Sequence, residues 1–489
     1  MTRGMQQAAL AGCAVVLAAV ATPARADDAA TIASLQRQID ELRAQIQALQ
    51  AMQRAAAGAA PVATPPPAIA NQAAPTSVPA PAPVAAAGSS SAAPASPVLA
   101  ATTKAKPKAW YDRLQLRGYT QLRVSEVLDG DTDAPAGISR LRSVHDSGVG
   151  EKGNFGFRRI RLALQGDVSE RVGLYLQGEF ASAVTGQANG ERRENFFQLR
   201  DAYADVYFAD RTIKLRVGQS KVPFGWENLQ SSSNRIAIDR ADGPNSAVPG
   251  ERDIGAVLFY TPPRIQKIWD DLAKDGQKLF GNYGAFALGV YNGQGTNRTE
   301  RNDGLMKIAM ATVPFRLDGL GGPFGGKVLE LGVEGMLNTF QPELRTGGVS
   351  ARAVPDNRVN LHAILYPAPF GIQAEWSWGK GPEWDRLIHA PTSRALSGGY
   401  VQAMYRIKHS PIGSLIPYAR WQTYRGGWKT ATNAPRISTD EIELGVEWLP
   451  LKEFEVTMAY ARMRRSEADE RRAGVARGDL LRAQLQWNY

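Results

Sequence analysis

Alternating apolar and polar residues recur in about sixteen short segments between residues 110 and 489. In the clearest of them, residues 156–166, isoleucine and leucine alternate with arginine and glutamine. Because successive side chains of a strand point to opposite faces, each segment forms a strand with one apolar and one polar face. Such strands suit a wall between lipid and water. The pattern therefore predicts an all-β fold, a sixteen-stranded antiparallel transmembrane β-barrel over residues 109–489.

The links between these segments alternate between short and long. Barrels of the outer membrane have short turns on the periplasmic side and long loops outside, so this alternation favours the same fold. Residues 261–281 depart from the pattern, because residues 268–280 look like a short amphipathic helix where a short turn is expected. The short links are residues 166–171, 209–211 and 449–452, and the long links are residues 125–154, 296–304, 341–357 and 431–440.

Residues 1–26 have the features of a secretory signal peptide. Arg3 precedes an apolar stretch at residues 8–21, and residues 24–26 provide the small residues of a cleavage site. An alternative is a lipoprotein processing site, since residues 10–13 resemble that box and end on the one cysteine of the chain, Cys13. Cleavage after residue 26 would leave the mature chain without cysteine.

Two further segments separate the signal peptide from the strands. Residues 27–54 place isoleucine and leucine at alternating three- and four-residue spacings, which favours a coiled coil. One amphipathic helix docked on another surface is the alternative. Residues 55–103 are rich in alanine and proline and contain no charged residue. Because such a segment buries little apolar surface, we expect residues 55–108 to form a disordered linker.

The chain carries a net charge of +10, which fits nucleic acid, an anionic surface or small anions as partners. Export argues against nucleic acid, which leaves small inorganic anions and membrane lipid. The four histidines show no metal-ligand spacing, and residues 321–327 match a phosphate-binding loop except that Val328 replaces its Ser/Thr. We therefore predict no catalytic residue, metal site, cofactor or enzyme activity, with a barrel hydrolase as an alternative.

Basic residues recur on the polar face of the predicted strands and in the long link 218–252 after the fifth strand. They have two interpretations: partners for inner carboxylates, or a filter that selects anions. For a single residue the two interpretations are equally favoured, but the set as a whole favours a filter that selects anions. The residues are Arg117, Arg123, Arg159, Arg161, Lys214 and Arg216 on strands, and Arg235, Arg240 and Arg252 in the link.

Five short motifs occur in order along the strand region. They are GFRR at 156–159, LRDAY at 199–203, GQSKVPFG at 218–225, PGERDIG at 249–255 and GVYNG at 289–293. Together they resemble the phosphate-selective porin O and P family over roughly residues 110–489. The resemblance implies a sixteen-stranded barrel that forms homotrimers, with a third external loop folded inward to narrow the pore. It also implies a ladder of arginines that conducts phosphate or polyphosphate.

The resemblance assigns an anion pathway position by position. Arg158 and Arg159 match the family's paired arginines, and Asp201 matches the aspartate of its constriction. Ser231 and Arg240 match the serine and the arginine of the inward loop. Arg161 replaces an expected tyrosine, and the heptad favours a dimer where the family forms trimers. The complete predicted pathway is Arg158, Arg159, Arg161, Asp201, Lys214, Arg216, Ser231, Arg235, Arg240 and Arg252.

The residues and the resemblance together predict a porin of the outer membrane with its N-terminal segment in the periplasm. Its water-filled, anion-selective channel would let small anions, phosphate or polyphosphate, diffuse passively. The alternative function is structural. In that case the barrel would anchor the periplasmic coiled coil to peptidoglycan or to another envelope partner.

Overall fold

The computed structural model describes residues 109–130, 141, 155–182, 196–301, 304–468 and 475–489. The strands are β1 (Leu114–Gly130), β2 (Phe155–Asp167), β3 (Val172–Ser182), β4 (Phe196–Phe208), β5 (Ile213–Lys221), β6 (Arg252–Tyr260), β7 (Phe286–Tyr291), β8 (Met306–Arg316), β9 (Val328–Phe340), β10 (Val354–Leu365), β11 (Phe370–Asp385), β12 (Ala390–Tyr405), β13 (Ser414–Gly427), β14 (Arg436–Leu451), β15 (Phe454–Ala468) and β16 (Val475–Asn488). Each strand pairs with its neighbours in the sequence, and β16 pairs with β1 to close the barrel. The predicted sixteen-stranded antiparallel barrel is confirmed.

Helices occur in the links between strands. The helix expected between β6 and β7 is present, but its predicted bounds, residues 268–280, are wrong. Pro263 at the first helical position favours an earlier start, and Gly276 follows the helix end with a φ of +73°. None of the helices among the described residues is long and apolar enough to cross a membrane. The α-helices are α1 (Trp226–Leu229), α2 (Asp242–Asn245) and α3 (Pro263–Lys274), and 3-10 turns occupy Trp110–Arg113, Pro249–Glu251, Asp318–Leu320 and Gly322–Phe324.

The two faces of the strands follow the predicted alternation. On β14, Ile442 and Leu444 are exposed on the outer surface, while Glu441 and Glu443 are buried inside the barrel. A carboxylate is costly to bury unless it is hydrogen-bonded, paired or hydrated. The inward direction of these glutamates therefore gives the barrel a polar interior and an apolar outer face.

Several sequence predictions concern parts of the chain outside the described residues. These are the signal peptide (1–26), the coiled coil (27–54) and the linker (55–108), together with most of the first long link. The glycine-rich residues 321–327 lead directly into β9, as expected for a turn. The links predicted at 341–357 and 431–440 are shorter than expected, because the flanking strands leave only residues 341–353 and 428–435 between them.

Two inserted segments occupy the barrel interior. The inward loop (residues 222–251) joins β5 to β6 and contains α1 and α2. The β6–β7 segment (residues 261–285) contains α3. Trp226 and Leu229 of the inward loop and Trp269 and Phe280 of the β6–β7 segment belong to one buried apolar cluster with side chains of β6–β10. This cluster fills one side of the interior and leaves the polar space beside β1–β5.

The β6–β7 segment crosses the barrel at the end that carries the short turns. Lys278 forms ion pairs with Glu447 on β14 and Glu455 on β15, the latter at 3.0 Å. Asp275 accepts a hydrogen bond from Arg406, directly after β12, at 2.8 Å. A segment that begins after β6 is thus fixed to the opposite wall, and it narrows the opening at this end.

Tyr489, directly after β16, closes the seam between the first and last strands. Its backbone N–H donates to Gly118 O at 3.0 Å, and Gly118 N–H donates to Tyr489 O at 2.6 Å. A Cβ on Gly118 would lie 2.5 Å from Cε2 of the Tyr489 ring, so glycine is needed where the ring packs. The Tyr489 hydroxyl lies 3.3 Å from Thr120 Oγ1.

Tyr489→Asp is expected to lower the yield of folded, heat-modifiable barrel. The substitution removes the ring from the seam and places a carboxylate where aromatic residues are favoured at a membrane interface. Tyr489→Phe is the matched control, because it keeps the ring and loses only the contact with Thr120. Electrophoretic mobility before and after heating measures the folded fraction. A wild-type yield for Tyr489→Asp would contradict this role of the terminal ring.

Candidate functional site

The inward loop is fixed to β1 and β16 through Asp239. Its Oδ2 accepts hydrogen bonds from Arg123 Nη1 on β1 at 3.2 Å and from Arg482 Nη2 on β16 at 2.5 Å. All three side chains are buried. Burial alone would raise the pKa of Asp239, but Arg123 and Arg482 hold it well below its usual range. Asp239 therefore remains ionised and ties the loop to the seam of the barrel.

Two other carboxylates fix the inward loop to β13, β14 and β15, the strands that continue the same side of the barrel from β16. Glu227 of α1 binds Arg420 on β13 through both oxygens, at 2.7 and 2.9 Å. Asp242 of α2 accepts hydrogen bonds from Thr439 on β14 at 2.7 Å and from Arg465 on β15 at 2.5 Å. Together with Asp239, these contacts hold the loop against the side formed by β13–β16 and β1, across the interior from β5 and β6, where the loop begins and ends.

Two polar cavities lie beside the inward loop. The larger, of about 540 Å³, lies toward the short-turn end and is lined by Tyr175, Asp201 and Arg252 among others. The smaller, of about 310 Å³, lies toward the long-link end and is lined by Arg159 among others. Arg161 lines both cavities. The passage from one cavity to the other therefore runs past Arg161.

Two β-bulges bring extra basic side chains to the smaller cavity. Gln121 on β1 pairs with Arg159 and the next residue pairs with Phe157, so Arg158 is an extra residue on β2. Arg200 is in the same way the extra residue on β4, beside Asp201. A bulge changes the direction of a side chain that strict alternation would place on the outer face. Both Arg158 and Arg200 consequently line the smaller cavity.

Arg161 and Arg216 are each paired with a carboxylate of the neighbouring strand. Arg161 Nε donates to Glu179 Oε2 at 2.6 Å, and its Nη1 donates to the Tyr119 hydroxyl at 2.9 Å. Arg216 binds both oxygens of Asp205, at 2.7 and 2.9 Å. The tyrosine expected at position 161 is absent, but β1 provides a tyrosine hydroxyl beside it. Both arginines are held firmly against the wall by these charged hydrogen bonds.

A chain of ion pairs lies where the two cavities meet, a place called the constriction below, and consists of Arg252, Asp201, Glu251 and Arg240. Arg252 Nε donates to Asp201 Oδ2 at 2.9 Å, and its Nη1 donates to Glu251 Oε2 at 2.9 Å. Arg240 Nη1 donates to Glu251 Oε1 at 2.6 Å. Burial would raise the pKa of Glu251, but Arg240 and Arg252 hold it well below its usual range. Arg252 was expected in the link, but it is the first residue of β6.

Lys214 and Ser231 lie near the larger cavity, between the constriction and the end of the barrel that carries the short turns. Lys214 Nζ donates to the backbone oxygen of Asn282 at 2.7 Å and to its Oδ1 at 2.9 Å. Asn282, rather than Lys214, is among the residues that line the larger cavity. Ser231 lines the same cavity, with its Oγ 2.9 Å from Ser233 Oγ. Lys214 thus supports the cavity wall, while Ser231 faces the cavity.

Arg159 and Arg235 line the smaller cavity, and neither has a carboxylate partner within 4 Å among the described residues. Arg159 Nη1 donates to Gln121 Oε1 at 2.8 Å, and Arg235 Nη2 donates to Ile238 O at 3.2 Å. Neither Nε–H finds an acceptor within the described part of the chain. Burial and the neighbouring Arg240 lower the pKa of Arg235 to about 9, so the side chain stays charged at neutral pH. Two buried positive charges therefore face this cavity.

Several of these residues were missed at the level of sequence. Asp239 and Glu251 directly adjoin predicted pathway arginines, Arg240 and Arg252, and this adjacency is the signal that could have found them. Arg482 gives no such signal, because closure of the barrel rather than spacing places it beside β1. In the described ranges, no group of three or more histidine, cysteine, aspartate and glutamate residues is arranged to hold a metal ion.

A closed barrel of sixteen antiparallel strands with an apolar outer face, a polar interior and a loop folded inward defines an outer-membrane porin. The chain belongs to the phosphate-selective porin O and P family, which matches residues 136–489. The family expected from the five motifs is confirmed, and with it a channel in the outer membrane.

Solved structures similar to this chain include the outer membrane channel DcaP of Acinetobacter baumannii, at 12% identity and a TM-score of 0.46. OmpF of Salmonella typhi in complex with daunomycin is 13% identical, with a TM-score of 0.47. Both cover 77% of this chain and 97% of the other chain. The anion-selective porin from Comamonas acidovorans is 12% identical, with a TM-score of 0.42, and covers 77% of this chain and 99% of its own. A comparison with curated proteins gave no match.

Proposed function

We propose that the channel conducts small inorganic anions by passive diffusion, with phosphate as the preferred anion. The observation that carries this proposal is the position of Arg159 and Arg235, buried and facing the smaller cavity without a carboxylate partner among the described residues. Unit charges about 4 Å apart interact with about 4 kcal/mol at an effective dielectric constant of about 20. This charge attracts an anion into the cavity and repels a cation.

Phosphate suits the donors of the smaller cavity. A guanidinium group presents N–H donors in a planar fork that matches two oxygens of a phosphate. The unused Nε–H groups of Arg159, Arg200 and Arg235 supply donors without a competing acceptor among the described residues. The family to which the chain belongs is described as phosphate-selective.

The paired arginines supply the remainder of the pathway. An anion that leaves the smaller cavity passes Arg161 and then reaches Arg252 in the larger cavity. Because these side chains are bonded to Glu179 and Asp201, their net attraction for an anion is weaker. Conduction requires sites that bind strongly enough to admit an ion and weakly enough to release it. The smaller cavity, whose two arginines have no carboxylate partner among the described residues, would bind the anion strongly enough to admit it. The arginines that follow are paired with carboxylates and would bind the anion weakly enough to release it.

Reversal potentials of the wild-type channel in planar bilayers test the proposal. In a potassium chloride gradient we expect the reversal potential to have the sign of a channel that is more permeable to chloride than to potassium. Added phosphate should then reduce the chloride conductance in a saturable manner, because phosphate occupies the site for longer. A cation-selective reversal potential would contradict the anion channel. Chloride currents unaffected by phosphate would contradict phosphate as the preferred anion.

The proposal includes a homotrimer in the outer membrane, with the long links outside and the N-terminal segment in the periplasm. A short epitope inserted between Gly347 and Gly348, in an exposed part of the link after β9, should be labelled by antibody on intact cells. The same epitope beside Asp210, in the short turn between β4 and β5, should be labelled only after permeabilisation. The opposite pattern would reverse the orientation.

A further inference from the structure

Glu330, on the inner face of β9, holds both inserted segments to the barrel wall. Its Oε1 accepts hydrogen bonds from Trp226 Nε1 of the inward loop and from Thr312 Oγ1 on β8, both at 2.9 Å. Its Oε2 accepts hydrogen bonds from Trp269 Nε1 of α3 at 2.8 Å and from the Tyr366 hydroxyl at 2.9 Å. The carboxylate is completely buried. One side chain thus joins the inward loop, the β6–β7 segment and the wall.

The two segments that meet at Glu330 also contact each other and border the larger cavity. Asn234 Nδ2 of the inward loop donates to the backbone oxygen of Leu279 at 2.6 Å. The Phe280 ring lies 5.3 Å from the Trp269 ring and 6.0 Å from the Trp226 ring, between centroids. Asn234, Leu279 and Phe280 all line the larger cavity. A shift of either segment therefore changes the cross-section through which the ion leaves.

We propose that Glu330 is a positioning residue that locks the inward loop and the β6–β7 segment into one arrangement and so fixes the conductance of the channel. Glu330 acts through Trp226 and Trp269, since its two oxygens are occupied by four donors and do not reach the ion. Hydrogen bonds to an ionised acceptor are stronger than neutral ones, so a single carboxylate is an effective lock. The inference rests on the channel itself and is independent of the ion that the channel prefers.

Glu330→Gln is the most direct test, because an indole N–H donates and cannot accept. The amide of glutamine replaces one carboxylate oxygen with an NH₂ group. In either orientation this NH₂ group faces one of the two tryptophan donors and breaks that contact, whereas the hydroxyls of Thr312 and Tyr366 can rotate to accept. We expect single-channel recordings of the variant to show additional conductance levels and more open-channel noise than the wild type. A single level of wild-type conductance would overturn the proposal.

Glu334→Gln is the matched control. Glu334 lies four residues further along the same face of β9, and its carboxylate contacts Asn360 at 2.7 Å and His362 at 2.8 Å, both on β10. The control removes a carboxylate from the same wall and keeps all four donors to Glu330 in place, because Glu334 reaches Glu330 only through His362 and Thr312, which lie 2.9 Å apart. Conductance levels of the wild type are expected. If both variants change the recordings equally, the effect does not depend on the tryptophan contacts, and Glu330 is not a positioning residue.

Combining Glu330→Gln with Trp269→Phe tests the mechanism itself. Without the indole of Trp269, the glutamine NH₂ can point to that side and its oxygen can accept from Trp226 and Thr312. The inward loop then regains its contact, so the double variant should be no noisier than Trp269→Phe alone. Noise that equals the sum of the two single variants would contradict the lock.

Trp226→Phe and Trp269→Phe keep the inference testable if Glu330→Gln gives no folded barrel. Each removes one of the two ties and leaves the carboxylate in place, so each should add conductance levels. Wild-type recordings from both would overturn the proposal. Ion preference is measured separately on the wild-type channel, so failure of the anion proposal and failure of this inference are distinguishable.

Discussion

Replacing Arg159 and Arg235 together by glutamate is expected to turn anion preference into cation preference while the barrel stays folded. The double substitution changes the charge facing the smaller cavity by about four units, two at each position. Water and neighbouring arginines screen the interaction, but even about 1.4 kcal/mol changes occupancy tenfold. The permeability ratio of chloride to potassium should therefore fall at least about tenfold and cross unity. Reversal potentials in a potassium chloride gradient measure it.

Arg462→Glu combined with Arg464→Glu is the matched control for this reversal. Both arginines are exposed on the outer face of β15, so the same change of charge occurs outside the pathway. The control channel should keep the ion preference of the wild type. If the Arg159 and Arg235 double variant also stays anion-selective, these side chains are not the filter.

Arg240 is a poorer choice for such a reversal, although its position in the inward loop suggests it. Its Nε donates to Glu227 O at 3.1 Å and its Nη2 donates to Gln230 O at 3.1 Å, in addition to the ion pair with Glu251. Glutamate at this position would lose all three contacts and disturb the shape of the loop. A change of selectivity could then not be assigned to charge alone.

The barrel wall is predictable from sequence because it follows a local rule. Alternation along each strand fixes which side chains face the interior, and Arg159, Arg161, Lys214 and Arg216 all point inward as alternation predicts. The rule holds for each strand separately and needs no knowledge of its neighbours. The strand count then follows from the same pattern, whereas the exact ends of the links do not, as the links after β9 and β13 show.

Which side chains line the constriction depends on contacts between distant parts of the chain, and alternation along a single strand does not predict these contacts. Strict alternation places Arg158 and Arg200 on the outer face, and only the register of the neighbouring strand reveals the bulges that turn them inward. Asp239 meets Arg482 because the last strand closes on the first. The four donors to Glu330 come from four separate parts of the chain. Pairing between an arginine and a carboxylate is likewise decided by the folded structure, so sequence alone could not separate Arg159 from Arg161.

Asp239→Asn is expected to detach the inward loop from β1 and β16 and to raise the conductance while anion preference is kept. The substitution removes the negative charge that Arg123 and Arg482 share at Asp239. Breaking one side of a buried ion pair costs about 3–5 kcal/mol, which is enough to favour an arrangement in which water reaches the two arginines. The loop would then narrow the pore less. Loss of one negative charge inside the barrel would add to the attraction for anions, so anion preference changes in the opposite direction to that expected for the Arg159 and Arg235 double variant.

The single-channel conductance of Asp239→Asn, measured beside that of Asp210→Asn, checks this expectation. Asp210 lies in an exposed turn, so the control variant loses the same charge away from the inward loop.

The pH dependence provides a second check. A carboxylate whose pKa is lowered on folding contributes stability above its unfolded pKa of about 3.9, and that stability is lost only as the pH falls through the lower folded value. Although burial opposes the shift, Arg123 and Arg482 hold the pKa of Asp239 well below its usual range. The tie should therefore persist from neutral pH to about pH 4 in the wild type, so the difference in conductance between Asp239→Asn and the wild type should persist over that range. Equal conductance of Asp239→Asn and wild type at neutral pH would show that Glu227 and Asp242 hold the loop without Asp239.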